Sequence, residues 1–181
     1  RSTSQSELWF APAGFTRGGL SPLGGVGGPR VVNVRDALSS KDRDNLYKIN
    51  INPIASFPGE GIVIFGQKTL QAFPSALDRI NVRRLLIFLK HELSNISRRL
   101  LFEPNVQTTW NRFKSQADGV LSNVQANLGV TEYKIVLDET TTTADLIDRN
   151  ILYAKIYIKP TRAIEYIVVD LIVTNTGAEF V

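Results

Sequence analysis

The chain has 181 residues with no cysteine, no methionine and one histidine, and its formal net charge is +4. Its 43% apolar and 21% charged residues are typical of a globular domain, or of one domain with a small appendage. Without cysteine, a disulfide scaffold, a thiolate zinc site and a cysteine nucleophile are excluded. The longest apolar run, residues 85–89, is far shorter than the roughly 20 residues of a membrane helix, so we expect no membrane insertion.

The first 30 residues are predicted to be an extended segment followed by a glycine-rich loop. An aromatic run at residues 7–11 ends at Pro12, which is typical of a short edge strand or of an anchored extension. Residues 14–30 hold seven of the 13 glycines, and glycine is costly to order, so a loop is favoured. The predicted division is therefore a segment at residues 1–30 and a domain at residues 31–181.

Three helices are predicted next. Ser39 and Asp42 have the spacing of a capping box, which predicts a short helix through about Lys48. Apolar residues between 82 and 100 then recur alternately every four and three positions, so they line one face of a helix about five turns long. Pro104 interrupts this pattern and suits the first turn of a second long helix. Gly129 is expected to cap that helix at its C-terminal end.

Strands are predicted on both sides of the two long helices. A β-branched run at residues 62–65 indicates a buried strand, residues 133–137 indicate another, and residues 151–158 alternate like a half-buried strand. A C-terminal strand or arm is expected from about residue 163. The predicted class is α+β: a mixed β-sheet packed against two long amphipathic helices plus a short helix, with extended terminal segments.

The sequence contains no pattern that supports catalysis. A single histidine, His91, cannot form a histidine-rich metal site. The sequence also lacks the nucleophile elbow that a serine hydrolase would need. The glycines near residue 25 lack the third glycine of a dinucleotide-binding loop. Four acidic residues between 138 and 148 lack the spacing of a calcium loop. We therefore predict that the protein is not an enzyme and has no cofactor and no metal.

A basic segment at residues 79–114 is the feature that asks for an explanation. It contains eight lysine and arginine residues but two acidic ones. A solvated helix face with weak ion pairs would account for it. An acidic protein surface would also fit, because such charges steer and register a contact. A nucleic-acid-binding module that uses the helix at residues 79–99 is the alternative, although aromatic residues for base stacking are not interleaved there.

Seven short stretches resemble, in order, the conserved C-terminal region of contractile tail sheath proteins of myophages and related injection machines. They are WFAPAG (9–14), INPI (51–54), FPG (57–59), IVIFGQKT (62–69), RINVRRL (79–85), FEPN (102–105) and IEYI (164–167). Each stretch is short, but together they span almost the whole chain. The chain differs from that family in lacking an initiator methionine, the N-terminal arm and the larger variable domains. We therefore expect a fragment of the conserved domain.

The resemblance implies a structural role. Sheath subunits form six-membered rings stacked helically around a tail tube, are linked by strand exchange, and contract to drive the tube through the host envelope. The implied partners are other sheath subunits, the tail tube protein, and the baseplate and tail terminator proteins, with no nucleic acid. The implied location is the tail of the virion, after assembly in the host cytoplasm.

Two sets of residues are assigned to these contacts as hypotheses. A tube-facing set would hold the tube through salt-screened contacts that can be released without melting a core, and comprises Arg79, Arg83, Arg84 and Lys90. An inter-subunit strand would add to the sheet of a neighbour, and comprises Ile164, Tyr166, Val168, Asp170 and Ile172. Exposed terminal strands can equally close their own sheet, so both arrangements stay open for residues 163–181.

Overall fold

A computed structural model describes residues 7–20 and 31–169 of the chain. The described elements confirm the predicted α+β class. In chain order they are α1 (Gly14–Arg17), α2 (Ser40–Lys48), β1 (Ile54–Phe57), β2 (Gly61–Ile64), a 3-10 turn (Ala76–Asp78), α3 (Ile80–Arg98), α4 (Gln107–Ala126), β3 (Val130–Val136), α5 (Ala144–Asp148) and β4 (Lys155–Pro160).

The strands form two separate antiparallel pairs in the described part of the chain, where one mixed sheet was expected. β1 and β2 are joined by a tight turn and pair with Ile54 opposite Ile64. β3 and β4 pair across α5, with Val136 opposite Lys155. A parallel pair would need a long crossover connection, whereas short connections bring neighbouring strands together antiparallel. Residues 163–169 form no strand within the described chain, and a strand or arm was predicted to start there.

The hydrophobic core lies between the two long helices and the β3–β4 sheet. A first cluster contains Trp9, Leu85, Leu89, Leu121, Val124 and Val130. A second cluster contains Trp110, Phe113, Ala117 and Leu137. The apolar stripes predicted for α3 and α4 therefore face this sheet, and each fully buried aliphatic or aromatic side chain contributes about 1.5–3 kcal/mol. None of the described helices is long and apolar enough to cross a membrane.

The N-terminal aromatic run is an anchored extension and not a strand. Trp9 is only 4% exposed and belongs to the first core cluster. Its indole Nε1 donates to the carbonyl oxygen of Asn127 at 2.8 Å, and its ring lies 5.4 Å from that of Phe88. Residue 9 therefore contributes to the same core as α3 and α4, although it precedes the predicted boundary at residue 31. Part of the predicted glycine loop is also structured, since Gly14–Arg17 form α1 and Gly19 bridges to Val63.

Both predicted helix caps can be compared with the structure. The capping box of α2 is confirmed, because the Ser39 hydroxyl accepts from the Asp42 N–H while the Asp42 carboxylate accepts from the Ser39 N–H. At the end of α4, however, Leu128 and not Gly129 has the left-handed conformation, with φ of 60°. Gly129 follows it and donates its N–H to the Val124 carbonyl at 2.8 Å, which completes the cap.

The prediction for Pro104 was wrong. α4 begins at Gln107, so Pro104 lies in the loop before the helix and not in its first turn.

Candidate assembly surfaces

The solvent side of α3 carries a basic stripe. Six exposed residues spaced three or four positions apart form it, and we call it the α3 outer face: Arg83, Ile87, Lys90, His91, Ser94 and Arg98. The stripe runs about 22 Å along the helix. None of its six residues is acidic, and Ile87 near its middle is 66% exposed. This face therefore combines positive charge with an exposed apolar side chain. Its charge would be complementary to an acidic surface on a partner protein.

The four residues of the predicted tube-facing set are not equivalent. Arg83 and Lys90 lie on the α3 outer face and are exposed. Arg84 is half-buried, and this burial lowers the pKa of its guanidinium. Arg79 precedes α3 and binds a carboxylate of the same chain, as described next. Two of the four residues, Arg83 and Lys90, thus present their charge to solvent. A count of charged residues in the sequence does not separate them from the other two.

Arg79 forms a two-pronged ion pair with Glu165. Its Nε lies 2.6 Å from Oε1 of Glu165, and its Nη2 lies 2.9 Å from Oε2. The two side chains are 28% and 17% exposed. The hydrogen bond to Glu165 is the main reason why the pKa of Arg79 is raised. Asp78 supplies a second carboxylate to Arg79, at 3.2 Å from Nη1.

Two further side chains complete a polar group that we call the Glu165 cluster: Tyr47, Gln67, Arg79 and Glu165. Gln67 Nε2 lies 3.4 Å from Glu165 Oε1, and the Tyr47 hydroxyl also hydrogen bonds to this carboxylate. Burial raises the pKa of Glu165, but the hydrogen bonds from Arg79, Tyr47 and Gln67 outweigh it, so the pKa is lowered overall. Burial and the carboxylate together raise the pKa of Tyr47 well above its usual range.

The described part of the C-terminal segment, residues 163–169, is exposed apart from Glu165. Ile164, Tyr166 and Val168 of the predicted inter-subunit strand are 82%, 79% and 86% exposed. Asp170 and Ile172 lie outside the described residues. An exposed apolar stretch of this kind is typical of a surface that another protein covers.

The β3–β4 sheet offers free edges for such a stretch. β3 and β4 pair with each other, and within residues 7–20 and 31–169 no third strand pairs with either. The N–H and C=O groups along an unpaired edge form a template for an added strand. Along β4, Ile156 and Ile158 are half-buried while Lys155, Tyr157 and Lys159 are exposed.

Reasoning from the sequence missed the Glu165 cluster. Arg79 and Glu165 are separated by 86 positions, and no local pattern predicts that they pair. The available signal was that both residues lie in stretches that resemble the sheath family, RINVRRL and IEYI. In the described part of the chain, no group of three His, Asp or Glu side chains lies close enough to hold a metal ion.

The fold is that of contractile sheath subunits. A chain of the anti-feeding prophage baseplate superimposes with a TM-score of 0.81 at 21% identity, over 94% of this chain and 46% of that chain. A chain of the contracted PVC sheath complex, an extracellular contractile injection system, gives 0.80 at 20% identity, over 94% of this chain and 47% of that chain. At these identities the comparison shows a shared fold.

Sequence comparison identifies the family. Residues 73–174 match the model of the phage tail sheath C-terminal domain. The tail sheath protein of Vibrio phage KVP40 is 41% identical over 97% of this chain, and that of Enterobacteria phage T4 is 37% identical over 99%. The chain therefore belongs to the phage tail sheath C-terminal domain family, which confirms the predicted resemblance. It covers 25% and 26% of the lengths of these two relatives.

Proposed function

We propose that the chain is the conserved part of a structural subunit in a bacteriophage contractile tail sheath, and that it is not an enzyme. The observation that carries this proposal is the 41% identity to a tail sheath protein over nearly the whole chain. The common fold with subunits of contractile injection systems supports it. In this role the protein resides in the virion tail, is assembled in the host cytoplasm, and works with other sheath subunits, a baseplate and a terminator protein.

The α3 outer face is the part of the domain that we assign to the tail tube. Arg83 and Lys90 supply exposed positive charge, and Ile87 supplies apolar contact between them. Exposed charges gain little free energy per pair and are screened by salt. Many weak contacts of this kind, one set in each subunit, would together hold the tube firmly. Each subunit could still release its own contact, because each contact alone is weak. Arg79 and Arg84 are half-buried, so we assign the tube contact to Arg83 and Lys90.

Reversing the charge of the α3 outer face tests this assignment. We expect full-length protein with Arg83→Glu and Lys90→Glu to stop forming sheaths around tail tubes, because both changes turn attraction into repulsion at every repeat. Electron microscopy and co-sedimentation with purified tubes measure the effect. The matched control is Arg35→Glu with Lys41→Glu, which makes the same charge change at exposed residues away from α3.

Two results would contradict the tube contact. If the variant with Arg83→Glu and Lys90→Glu formed normal extended sheaths, the proposed contact between α3 and the tube would be wrong. Retention of DNA by the wild-type protein at low salt, lost steeply as salt rises and absent from the variant, would instead support a nucleic-acid module.

The C-terminal segment is the part that we assign to strand exchange between subunits arranged in six-membered rings. Its exposed apolar residues and the free edges of the β3–β4 sheet are complementary, because strand addition satisfies edge N–H groups while side chains pack on the sheet. Ile164, Tyr166 and Val168, continued by Asp170 and Ile172, would form this strand. Backbone hydrogen bonds then keep subunits joined while their domains move during contraction.

Proline substitution tests the exchanged strand. Successive N–H groups of a strand point to opposite sides, so Ile167→Pro and Val168→Pro remove donors on different sides. We expect one of these variants, or both if the strand is paired on two sides, to lose polymerisation into sheaths. Ile167→Thr and Val168→Thr keep the N–H groups and serve as controls. Normal polymerisation by both proline variants would contradict strand exchange through this segment.

A further inference from the structure

The Glu165 cluster attaches the C-terminal segment to the domain through the least exposed residue of that segment. Glu165 is half-buried, whereas the residues on both sides, 162–164 and 166–169, are exposed. Its carboxylate contacts side chains from three places: α2, the segment after β2 and the residue that directly precedes α3. The segment is therefore fixed at Glu165 on a frame built from separate elements, and the residues that follow Glu165 are exposed.

The chemistry of the attachment is directional. The planar guanidinium of Arg79 matches both carboxylate oxygens of Glu165, so the pair fixes orientation as well as distance. Because the pair is shielded from most of the solvent, it is screened less than an exposed ion pair. Apolar contacts are non-directional, whereas a pair joined by two parallel hydrogen bonds favours a single relative orientation of its two side chains.

The frame beneath Arg79 is itself well connected. The backbone of Lys68 bridges to that of Arg79, and the carbonyl oxygen of Gln67 accepts the N–H of Ile80 at 2.8 Å. Asp78 gives Arg79 an alternative partner at 3.2 Å, so Arg79 keeps one carboxylate when Glu165 departs. The pair can therefore open without leaving a buried arginine uncompensated and without disrupting either core cluster.

We propose that the Arg79–Glu165 pair is a latch that sets the direction in which the C-terminal segment leaves the domain, with Glu165 as the positioning residue. Its benefit for sheath assembly rests on the proposed function, because an aimed segment meets a neighbour's sheet at lower entropic cost than a loose one. The latch itself is a property of the subunit. It holds whether or not the segment is exchanged.

Spin labelling of the unassembled full-length protein tests the latch directly. The 181 residues contain no cysteine, so Ser115→Cys on α4 and Val168→Cys in the segment introduce the two labelling sites within them; cysteines elsewhere in the full-length protein are replaced first. We expect a narrow distribution of distances between the labels. Glu165→Gln and Arg79→Gln should each abolish the narrow peak, and Arg79→Lys, which keeps the charge but not the fork, should retain part of it.

Arg83→Gln is the matched control, because it removes the same charge one helical turn further on and should keep the narrow peak. Circular dichroism of each variant reports whether the domain remains folded. An equally narrow distribution in Glu165→Gln, or a broad one in the parent protein, would overturn the latch. Loss of the peak with unimpaired sheath assembly would uphold the latch and contradict its role in strand exchange, so the two failures are distinguishable.

Discussion

Replacing Trp9 with alanine is expected to lower the free energy of unfolding by about 3–5 kcal/mol, the range for large aromatic side chains removed from a core. Trp9 is 4% exposed and packs in the cluster that joins α3, α4 and β3. The substitution also leaves the carbonyl oxygen of Asn127 without its indole donor. Urea unfolding followed by circular dichroism measures the change.

Two controls separate core packing from a general effect of losing an aromatic residue. Trp9→Phe keeps most of the apolar volume but not the N–H donor, so we expect a smaller loss than for alanine. Phe73→Ala removes an aromatic side chain that is 78% exposed, and we expect a change within about 0.5 kcal/mol. If Trp9→Ala were as stable as Phe73→Ala, the N-terminal segment would not be anchored as described.

A methyl group at Gly129 is expected to destabilise the protein by about 1–3 kcal/mol, the usual cost of overpacking. A Cβ at this position would lie 2.5 Å from Cγ1 of Val124 and 3.1 Å from two ring atoms of Trp9. Both neighbours are buried in the core cluster, so neither can move away cheaply. The free energy of unfolding of Gly129→Ala measures this cost.

Gly119→Ala is the matched comparison for the same chemical change. Gly119 lies within α4, and nothing lies within 4 Å of where its Cβ would be. Because alanine is favoured over glycine in a helix, we expect this variant to be more stable by about 0.5–1 kcal/mol. Opposite signs for the two variants would confirm that close packing, and not chain flexibility, explains Gly129. A stabilised Gly129→Ala would contradict it.

Elements defined by short-range signals were predictable from the sequence. The Ser39 and Asp42 capping box forms as expected, and α2 ends at Lys48. The apolar spacing of α3 and α4 places both helices within a few residues of their observed bounds. In each case the determining contacts join residues no more than about one helical turn apart, so the sequence pattern contains the information.

Features that depend on distant contacts were not predictable in this way. The strands were recognised, but their arrangement as two antiparallel pairs depends on which edges meet, and strand patterns do not encode that. Gly129 was assigned to the cap for its conformational freedom, whereas the structure also leaves no space for a side chain there, because Val124 and Trp9 lie against it and Trp9 is 120 positions away. Arg79 and Arg83 are the same residue type, so the sequence alone gives them the same charge. In the structure they differ, because Arg79 is paired with Glu165 and Arg83 is exposed.

The start of α3 connects the two proposed contact surfaces. Arg79 directly precedes α3 and Arg83 lies one turn later, about 6 Å along the axis. A regular helix does not bend over one turn, so the base of the C-terminal segment and the α3 outer face move as one rigid body. If the segment is exchanged as proposed, a change in the angle between this domain and its neighbour leaves the arrangement of Glu165 and the α3 outer face unchanged. While the latch is closed, a force on the segment therefore reaches the start of α3 through Glu165 and Arg79.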